Sequence, residues 1–367
     1  GADTQTHKPR NEQKAAFIAN KRNGKGRKKK VRSSVGDIEI QTSRERRGDF
    51  SPQTVGKWER EVGSGFEDQI LELYAMGNSQ EDISLHLEKM YGARLSKGAI
   101  SAVTDRVWDR IKEWQQRPLA SLFVLIYLDA IHYKVREEGQ VTTKAIYTIY
   151  GVDANGDRDI LAIHIGPSEG AHQWSLYLED LKRRGVEDVL FFAVDGLGGF
   201  GEAINRIYPQ ATVQRCIVHM IRNSLIGVSD KDRKAVIKDL RTIYQASDER
   251  AASQALEAFE VKWGKRYPTI AQKWQDNWLE LTAFLGFGAE IRRMIYTTNA
   301  VENVHRQMRR VTKTKGAWCT EKALMKQLYL SLMRNRKSWA RQVFRWSTIQ
   351  QELMQLYGNR YTDHVTG

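Results

Sequence analysis

Two short apolar runs in this chain each end in an aspartate: Phe123-Val124-Leu125-Ile126-Tyr127-Leu128-Asp129 and Val189-Leu190-Phe191-Phe192-Ala193-Val194-Asp195. Runs this brief, rich in β-branched and aromatic residues, read as buried strands, and an acid at a strand's end lies where α/β folds bind their ligands. A third acid, Glu302, follows Thr297-Thr298-Asn299-Ala300-Val301, a helix-start signal. Carboxylates gathered from separate elements suit oxygen-seeking Mg²⁺ or Mn²⁺ and phosphoryl chemistry with two metal ions.

The charge balance points to what such a site acts on. The 367 residues carry 58 Lys and Arg against 44 Asp and Glu, a net charge of +14. Residues 1–34 hold eleven of the basic side chains, Lys28, Lys29 and Lys30 among them, against Asp3 and Glu12. A basic arm of this kind matches a phosphate backbone and supplies affinity without sequence information; a solubilising tail is the alternative. Only two cysteines occur, Cys216 and Cys319, so no disulfide framework is expected and a reducing, cytoplasmic compartment is. No run of about 18 apolar residues is present to span a membrane, and no secretory signal is visible.

Residues 1–50 are polar, charged and aperiodic, and are expected to form an arm and linker. Residues 51–117 read as helical. Phe66, Ile70, Leu71 and Tyr74 mark one amphipathic stretch that stops at Gly77. Ser79 with Asp82 three residues on is a capping-box signature for a helix through Ile83, Leu85, Leu87 and Met90. Ser96 then caps a longer helix carrying Ile100, Val103, Val107, Trp108 and Ile111. Helix, short turn, helix is the arrangement of a helix-turn-helix, whose second helix offers its N-terminal side chains to the DNA major groove. Lys97 and Ser101, with Thr104 and Arg106, are the candidates there; a structural three-helix bundle is the alternative.

Strands take over from residue 123. The pattern predicts strands over 123–132, 141–152 and 158–165, with turns at Glu137-Glu138-Gly139-Gln140 and at the hairpin signal Asn155-Gly156. A helix over 171–184, with Trp174, Leu176, Leu178 and Leu181 inward, leads to the strand ending at Asp195. Another helix, a short strand over 211–215 and a helix after Cys216 follow. Three antiparallel strands, a helix, a parallel strand, a helix and a last strand is the order of a ribonuclease-H-like core. The expected fold is therefore multidomain α+β/α: basic arm 1–50, helix-turn-helix-like region 51–117, mixed α/β core 118–227, all-helical insertion 228–290, core helix with Glu302 in 291–320, and helical tail 321–367.

These pieces together resemble the bacterial Mutator-type insertion-sequence transposases, from about residue 50 to about residue 350. The resemblance is carried by Leu128-Asp129-Ala130-Ile131-His132 with Lys134 and Arg136, and by Val194-Asp195-Gly196-Leu197 with Gly199-Phe200. It continues through Cys216-Ile217-Val218-His219 with Ile221-Arg222-Asn223-Ser224, and through Ile295-Tyr296-Thr297-Thr298-Asn299-Ala300-Val301-Glu302. The acids stand 66 and 107 residues apart, in that order. Two departures are Gly198, where a bulkier residue is usual, and Asn-Val-His-Arg after Glu302. The resemblance implies a DDE transposase acting as a dimer on double-stranded DNA in the bacterial nucleoid. It would cut the element's ends to free a 3′-hydroxyl and use that hydroxyl to attack another phosphodiester, through a circular intermediate. A nuclease without strand transfer, or a DNA-binding protein with an inactive core, are the alternatives.

On this reading Asp129, Asp195 and Glu302 are the catalytic residues and hold two Mg²⁺ or Mn²⁺ ions. Each aspartate has a bland alternative as a capping residue, and Asn299-x-x-Glu302 is itself a capping-box pattern. Cys216 and His219 have Cys-x-x-His spacing but lack a second pair for zinc. His219 is instead expected to face the site and touch phosphate. Arg215 and Arg222 are candidates to clamp phosphates. Lys134, Arg136 and Lys144, then His305, Arg306, Arg309 and Arg310, complete the expected DNA contacts. Trp263, Trp274 and Trp278 are expected in the core, with base stacking by one of them as the alternative.

Overall fold

The computed structural model describes residues 22–33, 36–45, 64–91, 93–167, 171–195, 200–296, 299–313 and 315–365. The arm before residue 22, the turn 196–199 with Gly198, and Thr297-Thr298 lie outside them. Two compact units divide between Arg110 and Ile111.

In the first unit, β1 (Arg22–Ser33) and β2 (Gly36–Glu45) form an antiparallel hairpin with Lys28 opposite Gln41 and Val31 opposite Ile38. This corrects the expectation of an aperiodic arm. Of β1's described side chains, Lys28 and Lys30, two positions apart, are exposed and Val31, the next residue, is buried, as a strand with one covered face requires. After α1 (Ser64–Ala75) and α2 (Gln80–Tyr91), the short strand β3 (Ala93–Leu95) adds to β2, with Leu95 opposite Ile40. The capping box forms: Ser79 Oγ accepts from the Asp82 amide and Asp82 Oδ2 from the Ser79 amide, both at 3.1 Å. Ser96 caps α3 (Lys97–Asp105) by accepting from the Ala99 amide. The long helix expected here is interrupted at Arg106, and α4 (Val107–Gln116) continues beyond it.

The second unit is built on a five-stranded mixed sheet of β4 (Leu122–Glu137), β5 (Gln140–Asp153), β6 (Arg158–Gly166), β7 (Asp188–Val194) and β8 (Thr212–Arg215). Its spatial order is β6-β5-β4-β7-β8. The β4–β5 and β5–β6 pairs are antiparallel; β4–β7 and β7–β8 are parallel. Glu138 and Gly139 both have positive φ, which closes β4 and β5 with the mirror-image turn that matches strand twist.

One sheet face packs on α5 (Ala171–Arg183) and α6 (Phe200–Ile207), where Ile126, Leu128, Tyr147, Phe192 and Val194 meet Trp174, Leu178 and Ile204. Leu176, expected inward, is 44% exposed, because the buried stripe runs 174, 178, 181 and leaves position 176 on the outer side. Alternation then sends Tyr127, Asp129, Thr148 and Tyr150 to the other face.

After α7 (Ile217–Ser224), residues 230–295 are helical: α8 (Asp230–Tyr244), α9 (Glu249–Trp263), α10 (Pro268–Asp276), α11 (Trp278–Thr282), a 3₁₀ turn and α12 (Ala289–Ile295). Each tryptophan is fixed by its indole N–H: Trp263 donates to Asp239, Trp274 to Ser224 and Trp278 to Glu249. Helices α13 (Asn299–Thr312), α14 (Glu321–Arg334), α15 (Arg336–Trp339), α16 (Trp346–Tyr357) and α17 (Asn359–Thr362) finish the chain. The end is latched to the sheet by Arg360, which donates to both Asp188 carboxylate oxygens, and by Tyr361, which donates to the Ala154 carbonyl.

Gly156 has φ +80°, and a Cβ there would stand 2.3 Å from the Trp346 ring. Gly156→Ala therefore combines backbone strain with overpacking and is expected to cost about 2 kcal/mol or more. A thermal melt several degrees below the parent's would show it; an unchanged melt would mean that α16 moves aside at no cost.

Candidate active site

Strand register alone brings two acids together. Leu128 on β4 is paired in parallel with Val194 on β7, so the next residues, Asp129 and Asp195, emerge side by side from neighbouring strands. Both lie on the face away from the α5–α6 layer. Asp129 is 4% exposed, and its Oδ1 accepts from the Ala130 amide at 2.8 Å. Burial pushes its carboxyl up to about 7; the His219 charge opposes this, and Asp195 adds to it.

The third ligand-bearing residue in this cluster comes from α7. Donor atoms of Asp129, Asp195 and His219 all lie within 4.8 Å of one another. His219 Nδ1 stands 3.6 Å from Asp195 Oδ1 and, though buried, has no hydrogen-bond partner. The neighbouring Cys216 sulfur, then Asp195 and Asp129, hold the imidazolium up to about 9 against the opposing cost of burial. Cys216 itself is buried at the start of α7, where its amide donates to Val194 O.

Glu302 is half-buried in the first turn of α13 and lines the same cleft of about 720 Å³ as Asp129 and His219. It is not a member of the tight donor cluster.

His305, one turn further along α13, is placed differently from the expected DNA contact. It is 2% exposed and lies behind Asp129: Nδ1 is 3.4 Å from Asp129 Oδ2, and Nε2 is 3.0 Å from Thr148 Oγ1. Thr148 is Asp129's cross-strand partner. Burial pushes His305 down to about 3, so the ring is neutral, with one nitrogen able to donate and the other to accept. The ring thus stands close behind the Asp129 carboxylate, where outer partners orient metal-binding groups. His305→Phe is expected to lower metal-dependent turnover about 10–100-fold with duplex binding retained. Unchanged turnover in a variant that melts normally would reduce the ring to packing.

The cleft's outer wall is cationic: Arg222, Arg306, Arg309 and Lys313 line it, and all are exposed. Arg310 is exposed and outside that lining. Arg215 is a correction: its Nε and Nη2 lie 2.9 and 2.7 Å from Glu280 Oε2, joining β8 to α11 rather than waiting for phosphate. Lys144 is likewise engaged, by Glu137 at 2.9 Å and Glu321 at 3.0 Å. Lys134 and Arg136 are exposed on β4, but alternate onto the face opposite Asp129. In the first unit, Lys97 is exposed and 3.3 Å from Glu81, while Ser101 is half-buried. Thr104 is buried and Arg106 is bound to Glu67 at 2.6 Å, so both serve structure. The side chain of Lys29 lies outside the described residues.

The residues fit a divalent cation. Two converging carboxylates, one deeply buried, need a compensating charge, and a buried imidazole nitrogen without a partner faces them. Among the described residues no cysteine belongs to this cluster, which argues against the zinc spacing seen in the sequence.

The class that fold and site define is a mixed α/β protein with clustered acids in a cation-walled cleft, an arrangement suited to a polyanion. The sequence comparisons then give the family. Residues 3–342 match the family model "Transposase, Mutator family". The chain is 42% identical to the transposase for insertion sequence element ISRM3 of Rhizobium meliloti (strain 1021), over 94% of this chain and 86% of that one. It is 41% identical to a probable ISRM3-like transposase of Sinorhizobium fredii, over 95% and 87%. The chain belongs to the Mutator family of insertion-sequence transposases. Among solved structures, the Drosophila P element transposase strand transfer complex overlaps 82% of this chain and 88% of its own, at 11% identity and TM-score 0.32, too loosely to transfer any residue's role.

Proposed function

We propose that the chain is a DDE transposase that binds the ends of its insertion sequence and cuts and joins DNA strands with a 3′-hydroxyl as nucleophile, through a circular intermediate. The observation that supports this most is the parallel register that sets Asp129 beside Asp195, under a helix bearing Glu302 and a row of arginines. The strand order β6-β5-β4-β7-β8, three antiparallel strands followed by two parallel ones, supports the ribonuclease-H-like reading of the core. Asp129 and Asp195, joined by His219 or Glu302, would hold Mg²⁺ or Mn²⁺, two ions in all. When bound, such ions polarise the scissile phosphate and stabilise charge on the attacking and leaving oxygens.

The chain's own residues do the rest. Arg222, Arg306, Arg309 and Lys313 draw the phosphodiester into the cleft and offset its charge. His305 and Thr148 fix the Asp129 carboxylate in one orientation. The β1–β2 hairpin with Lys28 and Lys30, and α3 with Lys97 and Ser101, are assigned to duplex binding outside the catalytic unit, α3 as the second helix of a helix-turn-helix. The working form is proposed to be a homodimer on DNA in the bacterial cytoplasm.

The test is strand cleavage and joining on labelled DNA carrying the element's ends, with Mg²⁺ or Mn²⁺. Metal-dependent joined products are expected. Nicked DNA without joining would make the protein a nuclease, and tight binding without cutting would leave a DNA-binding protein with an inactive core.

A further inference from the structure

A second cluster of cations lies on the catalytic unit, away from the cleft just described. Arg158, Arg334, Arg336 and Lys337 line a separate open pocket of about 710 Å³, with Asp157 as its one acid. Arg334, Arg336 and Lys337 are exposed, at the junction of α14 and α15. Arg336 also stands 3.9 Å from Asp159, but that carboxylate is already held by Arg117 at 2.9 Å. Arg158 opens β6, and its Nε is buried without a hydrogen-bond partner.

The position of this cluster follows from register. Asp129 pairs with Thr148 on β5, and Arg158 pairs with Val152, four residues further along the same strand. Four strand residues span roughly 13 Å. In the opposite direction Tyr133 lies four residues beyond Asp129 on β4 and lines the acidic cleft together with Arg309 and Thr312. The two groups of cations therefore bracket the acids.

They also share a sheet face. Tyr150 and Thr148 point the same way from β5, and the Tyr150 hydroxyl donates to the carbonyl of Trp339, the last residue of α15. Asn303, next to Glu302, donates to the Ser338 carbonyl at 3.2 Å, which ties the helix over the active site to the segment carrying Arg336 and Lys337.

We propose that the Arg158, Arg334, Arg336 and Lys337 pocket is a second backbone-binding site for the duplex being cut, gripping phosphates about four to five base pairs from the scissile bond on the side away from Arg306 and Arg309. This rests on the reading of the acidic cleft as the place of cleavage. Combined with the two strand spacings of about 4.8 Å between β4 and β6, roughly 13 Å along the strands puts Arg158 about 16 Å from Asp129, between four and five steps of 3.4 Å along a DNA strand. A duplex anchored on both sides of the acids cannot slide or tilt, which holds one phosphodiester over Asp129 and Asp195. Met333 and Ala340 complete the lining, and the cationic side chains that reach the opening are arginine and lysine, which grip phosphate, so the pocket contributes position and not sequence choice.

The experiment uses the full chain and its Arg336→Ala/Lys337→Ala variant, with element-end duplexes and ethylated-phosphate interference mapping. Both side chains are exposed, so the variant is expected to melt like the parent. The slope of log affinity against log salt should fall by about 2, because two fewer counterions are released. Interference should disappear at phosphates about four to five base pairs to one side of the cut site and persist at the cut site. An unchanged slope with an unchanged interference pattern overturns the proposal, as does a loss of interference spread evenly along the DNA. Cleavage by the wild type is scored in parallel. If it fails while the slope and map change as stated, the catalytic reading falls and this backbone contact stands as DNA binding; if it succeeds and they do not change, this proposal alone falls.

Discussion

Asp195→Asn is expected to leave the protein folded and able to bind DNA, yet to lower metal-dependent strand cleavage roughly 10³-fold, the equivalent of about 4 kcal/mol of transition-state stabilisation. The substitution keeps size and hydrogen-bonding capacity while removing one negative charge. Asp195 follows the last residue of β7 with its side chain about 20% exposed, and asparagine has nearly the same shape, so the substitution leaves the packing around it in place. Its neighbour Asp129 is buried, and removing a like charge beside it relieves repulsion rather than creating it. A metal-binding role thus predicts a stable, inactive protein. A capping role predicts the reverse: a protein less stable and still active. Parallel melting and cleavage measurements separate the two, and retained cleavage would remove Asp195 from the catalytic set.

The sequence is informative about this pair for a physical reason. A strand segment buried on both faces must be apolar throughout, so a charged residue that closes the apolar run stands out. Asp195 does so just past the end of β7, whereas β4 runs on to Glu137 and Asp129 lies in its middle, at the point where parallel pairing with β7 stops. The same locality explains why the Ser79–Asp82 box and the Glu138-Gly139 turn could be read: each is settled within four residues. What could not be read depends on partners far along the chain. Arg215 meets Glu280, 65 residues on, and His305 meets Thr148, 157 residues back. Nothing local separates an arginine awaiting phosphate from one already neutralised. His219 was visible as a histidine facing the site, but its place beside both aspartates follows from where α7 starts after β8. The β1–β2 hairpin was obscured because consecutive lysines mask the two-residue alternation that betrays a strand.

Comparing Glu302→Gln with His219→Gln decides which residue completes the metal site. Glu302 supplies an oxygen from the first turn of α13, and His219 a nitrogen already within the tight cluster. Mg²⁺ prefers oxygen donors, whereas imidazole suits later transition metals. If Glu302 is the third ligand, Glu302→Gln should lose roughly 10²–10³-fold in Mg²⁺-dependent cleavage, with DNA binding unaffected. His219→Gln should then lose only about tenfold, because His219 would act as a neighbour that tunes the carboxylates. The reverse ranking would make His219 the ligand and return Glu302 to the cleft wall. The first ranking is the one expected. The cleft already holds Glu302 beside Asp129 and His219, and the charged His219 that balances the two acids becomes unfavourable once a divalent cation takes over that task. A neutral His219 can then give way, while the Glu302 carboxylate is drawn toward the same positive charge.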